Sequence, residues 1–392
     1  MNIKSYAIVT ASYWGFTLTD GALRMLVLLY FHELGYTPIQ LGTLFLLYEF
    51  CGVLTNLLGG WIGSRVGLRI TLFAGIAIQI IALMMLSFIS PSWATALSVS
   101  YVMASQALSG IAKDLTKMSS KSAVKLLVGD REKILFKWVS ILTGSKNALK
   151  GVGFLLGGVM LTWLGFVDSL WLMALMLTLV LLVSLIYLKQ DMGPSKRRVK
   201  FTQLFSKSAQ INWLSAARFF LFASRDVWFV VALPIFLKSS LGWSFSQVGS
   251  FMAAWVIGYG IVQANTPKFV RKTDTPRAAG FWVFLLTLAT AALALVMQMD
   301  FHPIATLLIG LAIFGFIFAI NSSTHSYLIL AFTNDDHVVL NVGFYYMANA
   351  WGRLVGTLLS GVMFLLGGLG ACLWTSVGML FAAWICTRKI RN

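Results

Sequence analysis

Residues Asp168 to Leu188 read DSLWLMALMLTLVLLVSLIYL, one charged residue followed by a run that is almost entirely apolar. A helix needs about 20 such residues to cross a bilayer, and a helix satisfies its own backbone hydrogen bonds in hydrocarbon. Comparable runs recur along the chain and predict about twelve membrane-spanning helices. We place them at 6–32, 39–62, 70–90, 94–117, 136–163, 168–188, 211–237, 246–266, 278–299, 304–330, 340–366 and 369–387. The sequence therefore predicts an all-α membrane protein.

The composition agrees with this class. Of the 392 residues, 58% are hydrophobic and 11% are charged, whereas soluble domains carry about 25% charged residues. A membrane β-barrel would show runs of about 10 residues with alternating polarity, and the sequence has no such alternation. The formal net charge of +17 would suggest nucleic acid in a soluble protein. Here the basic residues follow the membrane topology, so we expect lipids, and not nucleic acid, as partners.

Basic residues concentrate in the loops on one side of the predicted membrane. They are Lys4, Arg65, Arg69, Lys121, Lys125, Arg131, Lys133, Arg197, Arg198, Lys200, Arg271, Lys272, Arg277, Arg388, Lys389 and Arg391. The opposite loops hold Lys238 as the one clear exception. Because cytoplasmic loops are enriched in Lys and Arg, both termini are predicted to be cytoplasmic. We expect a multi-pass protein of the plasma membrane, the inner membrane of a bacterium, whose first helix is retained.

The two halves of the chain repeat one another. Lys150-Gly151-Val152-Gly153 in the fifth span matches Arg353-Leu354-Val355-Gly356 in the eleventh. Between the halves lies a polar stretch that includes Gly193-Pro194-Ser195-Lys196-Arg197-Arg198. We therefore predict an N-terminal six-helix bundle at 1–190, a cytoplasmic linker at 191–210 and a C-terminal six-helix bundle at 211–392. Two pseudo-symmetric six-helix bundles are the plan of the major facilitator fold.

The segment from Gly60 to Arg69 reads GWIGSRVGLR and joins the second and third spans. It resembles the loop signature of the major facilitator superfamily. The residues that fit are Gly60, Arg65, Gly67 and Arg69. Ser64 stands where an acid is usual and Leu68 where a basic residue is usual. The resemblance implies a gating loop, and the departures weaken the charge latch of that loop.

Ionisable residues inside the spans are costly and usually mark a transport path. The candidate substrate-binding cations are Arg24, Lys146, Lys150, Arg225 and Arg353, with Arg218 nearer the inner side. The candidate carboxylates for coupling or charge pairing are Asp20, Glu49 and Asp226. Because the cations outnumber the carboxylates, the simplest counter-charge is a small anionic substrate. Arginine suits such a substrate because its fork matches carboxylate and phosphate oxygens.

Structural roles compete with these functional ones. Asp20 and Arg24 lie one turn apart and could form a pair within one helix. Glu49 could be only a hydrogen-bond acceptor. Lys150 and Arg353, at equivalent positions of the repeat, are expected to face a common central cavity.

Further positions allow a similar choice. Arg225 and Asp226 are neighbours and are expected to point to different faces of their helix. His325 is expected to be a packing residue with its polar atoms satisfied. A ladder at four-residue spacing consists of Lys113, Lys117, Lys121 and Lys125. The ladder favours contacts with anionic lipids, and the alternative is a funnel that concentrates an anion.

The three cysteines, Cys51, Cys372 and Cys386, lie far apart and indicate neither a disulfide framework nor a metal site. The sequence contains no P-loop, no HExxH and no GxSxG motif. We therefore predict no cofactor, no metal and no enzymatic activity.

Four polar stretches within spans are distinctive: Tyr13–Arg24, Ser109–Asp114, Gly144–Gly151 and Ala223–Val230. They resemble the organoarsenical efflux permease family ArsJ, a branch of the major facilitator superfamily, and the resemblance runs over nearly the whole chain. It implies export of 1-arseno-3-phosphoglycerate and hence arsenate resistance. It also implies a functional link to glyceraldehyde-3-phosphate dehydrogenase, which forms this ester when arsenate replaces phosphate.

The function leaves alternatives open. The nearest is a major facilitator transporter of another organic phosphate or organic anion, including an importer. Alternatives from other functional classes are a lipid flippase, a membrane-embedded enzyme and a sensor. Coupling is open between export driven by the membrane potential and proton antiport through Asp20, Glu49 or Asp226.

Overall fold

The structure is a computed structural model. It describes residues 3–36, 40, 43–128, 132–188, 208–243, 245–270, 275–299, 302–333 and 338–390. Within these ranges the regular structure is helical and contains no strand. The prediction of an all-α protein is confirmed for these residues.

Six helices precede residue 190. They are α1 (Ile3–Glu33), α2 (Leu46–Val66), α3 (Leu68–Ser87), α4 (Thr95–Val128), and α5 and α6, which form the continuous segment Glu132–Tyr187. This segment is broken at Gly165, whose φ of 78° lies in the left-handed region that glycine adopts without a steric penalty. Helix α5 is therefore 132–164 and α6 is 166–187.

Six more helices follow residue 208. They are α7 (Ala209–Phe229), α8 (Phe245–Asn265), α9 (Thr275–Gln298), α10 (Pro303–Ala331), and α11 and α12 within Val338–Lys389. The last segment is broken at Gly367 and Gly368, so that α11 is 338–366 and α12 is 369–389. A short helix, Ala232–Ile235, and a π-helical turn, Phe236–Ser240, continue α7. With the two glycine breaks counted, the described residues form twelve long helices.

The observed bounds differ from the predicted spans at a few ends. Helix α4 continues to Val128, well past the predicted end at 117, so positions 121 and 125 of the lysine ladder are also helical. Helix α2 begins at Leu46, and the described residues Gln40, Thr43 and Leu44 before it, within the predicted span, are also helical. Residues 189–207, which hold nearly all of the predicted linker, lie outside the described residues. The predicted domain boundaries therefore stay predictions.

The exposed surface is rich in large apolar side chains, which a water-soluble protein would bury. Trp163, Leu365 and Met299 are 82%, 87% and 76% exposed. Five helical segments are long and apolar enough to cross a bilayer, judged by length and composition alone. Helices α1, α2, α4, α7 and α8 fall outside this set, and α1, α2 and α7 carry most of the candidate ionisable residues. The chain is a multi-pass membrane protein in which the candidate site combines these more polar helices with α5 and α11.

The chain divides into two compact units. The first contains Met1–Arg131, Ser145–Phe205 and Asn334–Met347, and the second contains Glu132–Gly144, Ser206–Thr333 and Ala348–Asn392. Inside the first unit, α4 packs against α1, α2 and α3. Inside the second, α10 packs against α7, α8 and α9 around an aromatic core that includes Trp228, Phe314 and Phe318.

Candidate functional site

Glycines bring α1 and α5 into close contact in the first unit. A β-carbon at Gly153 would collide with the carbonyl oxygen of Leu18, and one at Gly157 would collide with that of Ala22. On the opposite helix, a β-carbon at Gly21 would lie 2.6 Å from the carbonyl oxygen of Lys150. Small residues allow membrane helices to approach in this way. The contact places the side chains of α1 beside those of α5.

Asp20 lies at this contact and is 5% exposed. Its Oδ1 accepts a hydrogen bond of 2.5 Å from the hydroxyl of Tyr48 on α2, and its Oδ2 accepts one of 3.2 Å from Nζ of Lys150 on α5. One carboxylate therefore joins three helices. The sequence did not point to Tyr48, although a tyrosine beside Glu49 within a span was a signal that it could serve a polar group.

Glu49 connects α2 to α1 and α4. Its Oε1 accepts a hydrogen bond of 3.0 Å from Nη2 of Arg24, and its Oε2 lies 3.7 Å from Nζ of Lys113. Lys113 is in turn 3.5 Å from Oδ2 of Asp114, which also binds Lys117. The guanidinium of Arg24 stacks 4.9 Å from the centre of the Tyr48 ring. Asp20 and Arg24, considered as a pair within one helix, each have a partner on another helix.

The lysine ladder on α4 is turned inward. The side chains of Lys113 and Lys117 are each 12% exposed, and Lys121 is 4% exposed. The ammonium of Lys113 lies 3.8 Å from the centre of the Tyr48 ring, and Lys117 lies 4.6 Å from that of Tyr346. The interpretation of these three residues as a lipid contact is therefore wrong, because they are buried within the first unit. The side chain of Lys125 lies outside the description.

Glycines also join α7 and α11 in the second unit. A β-carbon at Gly352 would collide with the carbonyl oxygen of Phe219, and one at Gly356 would lie 2.7 Å from that of Ala223. Gly356 is the repeat partner of Gly153, so the same glycine serves the same kind of helix contact in both units. This contact places Arg353 beside α7.

Asp226 is fully buried and is bound by two guanidinium groups. Arg225 donates from Nε to Oδ1 at 2.6 Å, and Arg353 donates from Nε to Oδ2 at 3.3 Å. The expectation that Arg225 and Asp226, as neighbours on different faces of their helix, would not pair is wrong. The arginine side chain is long enough to turn back to the carboxylate of its neighbour, which helical periodicity does not describe.

Arg225 lies among aromatic rings. Its guanidinium carbon is 4.9, 5.7 and 5.5 Å from the ring centres of Phe222, Phe229 and Phe318. Aromatic faces attract a guanidinium and exclude water from it. The side chain is nevertheless 15% exposed, so that the group is held in place with part of its surface open.

Arg218 is held by neutral acceptors. Its Nε donates to Oδ1 of Asn349 at 2.9 Å, and its Nη1 donates to the carbonyl oxygen of Ser322 at 3.0 Å. Arg225 and Arg353 therefore bind one carboxylate, whereas Arg218 is held by neutral groups two turns away on α7. Asn349, which the sequence analysis passed over, lies one turn before Arg353 on α11.

His325 is fully buried on α10 within the polar run from Asn321 to Ser326. Neither of its ring nitrogens hydrogen-bonds another described residue. His325 is buried, as expected of a packing residue. Its ring nitrogens are not hydrogen-bonded to described residues, contrary to the expectation that they would be satisfied.

The predicted gating loop forms the junction of α2 and α3. Gly67 separates the helices with φ of 91°, which a residue with a β-carbon rarely adopts. Arg65 stacks 4.2 Å from the ring centre of Trp61, and Arg69 lies 5.4 Å from that of Phe73. Gly60 lies within α2, and the side chain at 64 is outside the description. The role of the junction in gating stays a prediction.

Two expectations about α5 and α11 stay predictions: that Lys146 binds the substrate, and that Lys150 and Arg353 face a common central cavity. Lys146 is half-buried on α5, one turn before Lys150. Lys150 binds Asp20 and Arg353 binds Asp226, each within its own unit.

The sequence matches the profile of the Major Facilitator Superfamily over residues 9–225 and 214–391. The chain therefore belongs to the Major Facilitator Superfamily, a family of membrane transporters. A comparison with curated protein sequences gives no match.

Solved structures share the fold. The human organic anion transporter MFSD10 (TETRAN) superposes with a TM-score of 0.78 at 16% identity, covering 98% of this chain and 99% of that one. A bacterial homologue of the iron transporter ferroportin in an outward-facing state gives a TM-score of 0.80 at 11% identity, covering 99% of each chain. The same homologue with soaked iron gives 0.78 at 12% identity, again over 99% of each chain. At these identities the likeness concerns the fold alone.

Proposed function

We propose that this chain exports small organic anions across the bacterial inner membrane, and that its particular substrate is 1-arseno-3-phosphoglycerate. The observation that carries the proposal is the arginine cluster of the second unit. Asp226 is fully buried and binds both Arg225 and Arg353, with Arg218 on the same helix as Arg225. Two guanidiniums thus share one buried carboxylate, and a third lies two turns away on α7.

A surplus of buried positive charge favours an anion. A buried charge is strongly unfavourable unless another charge or hydrogen bonds compensate it. The guanidiniums of Arg225 and Arg353 are only partly covered, at 15% and 22% exposure. Each can bind two oxygens of a phosphate or arsenate group in its plane. Asp226 then keeps the two arginines aligned, and the anion binds the parts of the two guanidiniums that stay exposed.

The first unit supports the same class of substrate. Arg24, Lys113, Lys117 and Lys150 contact Asp20, Glu49 and Asp114, so cations exceed carboxylates there as well. The inward lysines of α4 offer ammonium groups at one-turn intervals. Ammonium groups bind phosphate oxygens as point charges. A metal cation would be repelled by both clusters.

The particular substrate rests on the resemblance of the polar stretches to organoarsenical efflux permeases and on the chemistry of the ester. The molecule carries an arsenate group and a phosphate group, and both are negatively charged. The three cysteines agree with a pentavalent oxyanion, because trivalent arsenic prefers clustered thiolates and Cys51, Cys372 and Cys386 lie far apart in the sequence. The human organic anion transporter MFSD10 shares the fold of this chain, and at 16% identity the similarity does not extend to the substrate. The second candidate is export of another organic phosphate by the same arginines.

The inside-negative potential assists the export of an anion by about 2.3 kcal/mol per charge per 100 mV. Proton antiport is the alternative, with Asp20, Glu49 or Asp226 as the carrier. All three carboxylates contact cations, which would have to release them for a proton to bind. Potential-driven export is therefore the simpler mechanism.

The test uses everted membrane vesicles that contain this chain. They receive labelled arsenate, glyceraldehyde 3-phosphate, the oxidised nicotinamide cofactor and glyceraldehyde-3-phosphate dehydrogenase. We expect label to accumulate in the complete mixture and not when the dehydrogenase is omitted. Dissipating the membrane potential should reduce accumulation, and dissipating only the proton gradient should not.

Two further arms separate the candidates. Labelled 3-phosphoglycerate is supplied alone, and phosphate replaces arsenate in the complete mixture. Accumulation that requires arsenate supports the arsenic ester, whereas equal accumulation of the phosphate compounds supports the second candidate. Vesicles that accumulate none of these anions, although the chain is inserted at normal abundance, would contradict anion export.

A further inference from the structure

A groove lies between α9 and α12 in the second unit, apart from the charged clusters. It encloses about 220 Å³ and is lined on α9 by Pro276, Arg277, Gly280, Phe281 and Phe284. On α12 it is lined by Trp384, Thr387 and Arg388. The lining residues of α9 recur at helical spacing, so that one stripe of that helix forms a wall.

The groove is polar at one end and apolar along its length. Arg277 lies near the beginning of α9 and Arg388 near the end of α12, so the two guanidiniums mark the same end. Both side chains are exposed, and Arg388 stacks 5.0 Å from the ring centre of Trp384. Away from that end, Phe281 and Phe284 are 60% and 42% exposed.

This arrangement matches the shape of one class of molecule. In a multi-pass membrane protein, exposed phenylalanines on an apolar helix such as α9 face the acyl chains of the bilayer. The basic loops predict that the arginine end lies at the cytoplasmic surface, where anionic lipids are enriched and where basic pockets between helices bind their head groups. A soluble anion would leave the phenylalanine wall unused, and a head group without net charge would not match the two positively charged guanidiniums at one end of the groove.

We propose that the groove between α9 and α12 is a binding site for an anionic phospholipid. The phosphate of the head group binds Arg277 and Arg388. One acyl chain packs along Phe281 and Phe284, and the stack of Arg388 on Trp384 fixes the guanidinium at the boundary between the two parts. The site does not depend on which substrate the transporter carries.

Two kinds of variant test the site. Arg277→Gln with Arg388→Gln removes the charges, and Gly280→Leu fills the groove while keeping them. A β-carbon at Gly280 meets no atom within 4 Å, so the larger side chain enters open space and the fold is retained. Lys268→Gln is the control for charge, since Lys268 is exposed at the end of α8. Gly378→Leu is the control for size, because its β-carbon on α12 also meets nothing within 4 Å.

The measurement is native mass spectrometry of the full chain in mild detergent with added phosphatidylglycerol or phosphatidylcholine. We expect the wild type and both controls to retain one phosphatidylglycerol and to release phosphatidylcholine. The double arginine variant should retain phosphatidylglycerol about tenfold less, because hydrogen bonds to the charged phosphate are lost. Gly280→Leu should also retain it about tenfold less, because the acyl chain can no longer pack in the groove.

Three results would overturn the proposal. Equal retention of the two lipids would show only general contact with the bilayer. Unchanged retention in Gly280→Leu would place the lipid elsewhere, even if the arginine variant failed to fold. Displacement of the lipid by millimolar glycerol phosphate would indicate a site for soluble anions.

Discussion

Asp20 and Asp226 hold comparable positions in the two units, and their surroundings differ. Each is a buried carboxylate beside a glycine contact between two helices, and each binds a cation on the opposite helix, Lys150 or Arg353. Around Asp20 there are also a tyrosine and the second carboxylate Glu49, which is linked through Lys113 to a third. Around Asp226 there are two guanidiniums and phenylalanine rings.

The same helix contact therefore carries a different charge cluster in each unit. In the first unit several acids and bases share the charge, so the loss of one group can be compensated by others. In the second unit two arginines share one carboxylate. The first cluster is therefore expected to tolerate substitution, and the second to be both more fragile and more attractive to an anion.

The largest expected effect is that of Asp226→Asn. It leaves Arg225 and Arg353 without their shared carboxylate, and removal of one partner from a buried ion pair costs about 3–5 kcal/mol. Asp20→Asn should cost about 1–3 kcal/mol, because the Tyr48 hydroxyl still has an oxygen to bind. Thermal unfolding in detergent and abundance in the membrane measure both.

Adding Arg353→Gln to Asp226→Asn should recover part of the stability, since one of the two guanidiniums is removed. Equal losses at Asp20 and Asp226, or no recovery in the double variant, would remove the distinction between the two clusters.

The next effect concerns transport. Arg225→Ala should be nearly inactive, and Arg225→Lys should transport about tenfold to a hundredfold more weakly, because lysine keeps the charge and loses the fork. Arg24→Lys should lose about tenfold, since lysine can still pair with Glu49. Rates and apparent affinities in everted vesicles, corrected for protein abundance, give the comparison.

Lys268→Gln is the matched control for these transport measurements and should transport like the wild type. If both lysine variants export the arsenic ester at the wild-type rate and affinity, neither arginine binds the anion. Lys146 and Lys150 would then be the next candidates.

The glycine contacts are the feature that the units share, so equal effects are expected. Gly153→Ala and Gly356→Ala should each cost about 1–3 kcal/mol, because each new methyl group meets a carbonyl oxygen of the facing helix. Gly361→Ala is the control, as nothing lies within 4 Å of its β-carbon. Unfolding temperatures of the three variants decide this, and a loss in one unit alone would show that the contacts are not equivalent.

The smallest effect is expected from replacing Cys51, Cys372 and Cys386 together by serine. The proposed substrate presents oxygen atoms to arginine and lysine, so transport should be retained, with a change in stability within about 1 kcal/mol for each small substitution. Vesicle transport of the arsenic ester is the measurement. Loss of transport at normal abundance would indicate that a thiol binds arsenic.

Much of the helix layout followed from the sequence. The apolar run from Asp168 to Leu188 lies in α6, and the predicted limits of the last two spans meet at Gly367 and Gly368, where the chain breaks. Hydropathy and glycine placement are local properties, so they can be read from neighbouring residues. The predicted end of α4 was less accurate, because its residues are more polar and the helix continues to Val128.

The matching glycines at Gly153 and Gly356 also followed from the sequence, as did the presence of ionisable residues within spans. Which groups bind one another did not. The bond from Tyr48 to Asp20, the link from Glu49 to Arg24 and Lys113, and the inward direction of the α4 lysines required the packed helices.

The sequence by itself determined the class of protein, the number of helices and the excess of positive charge, since these depend on composition and on periodicity along the chain. Only the tertiary structure decided that Arg225 turns back to Asp226 and shares it with Arg353, which lies 127 residues away in the sequence. Periodicity fixes where a side chain leaves its own helix. It does not fix which helix lies opposite or where a long, flexible side chain finds its counter-charge, and those two facts define the candidate site.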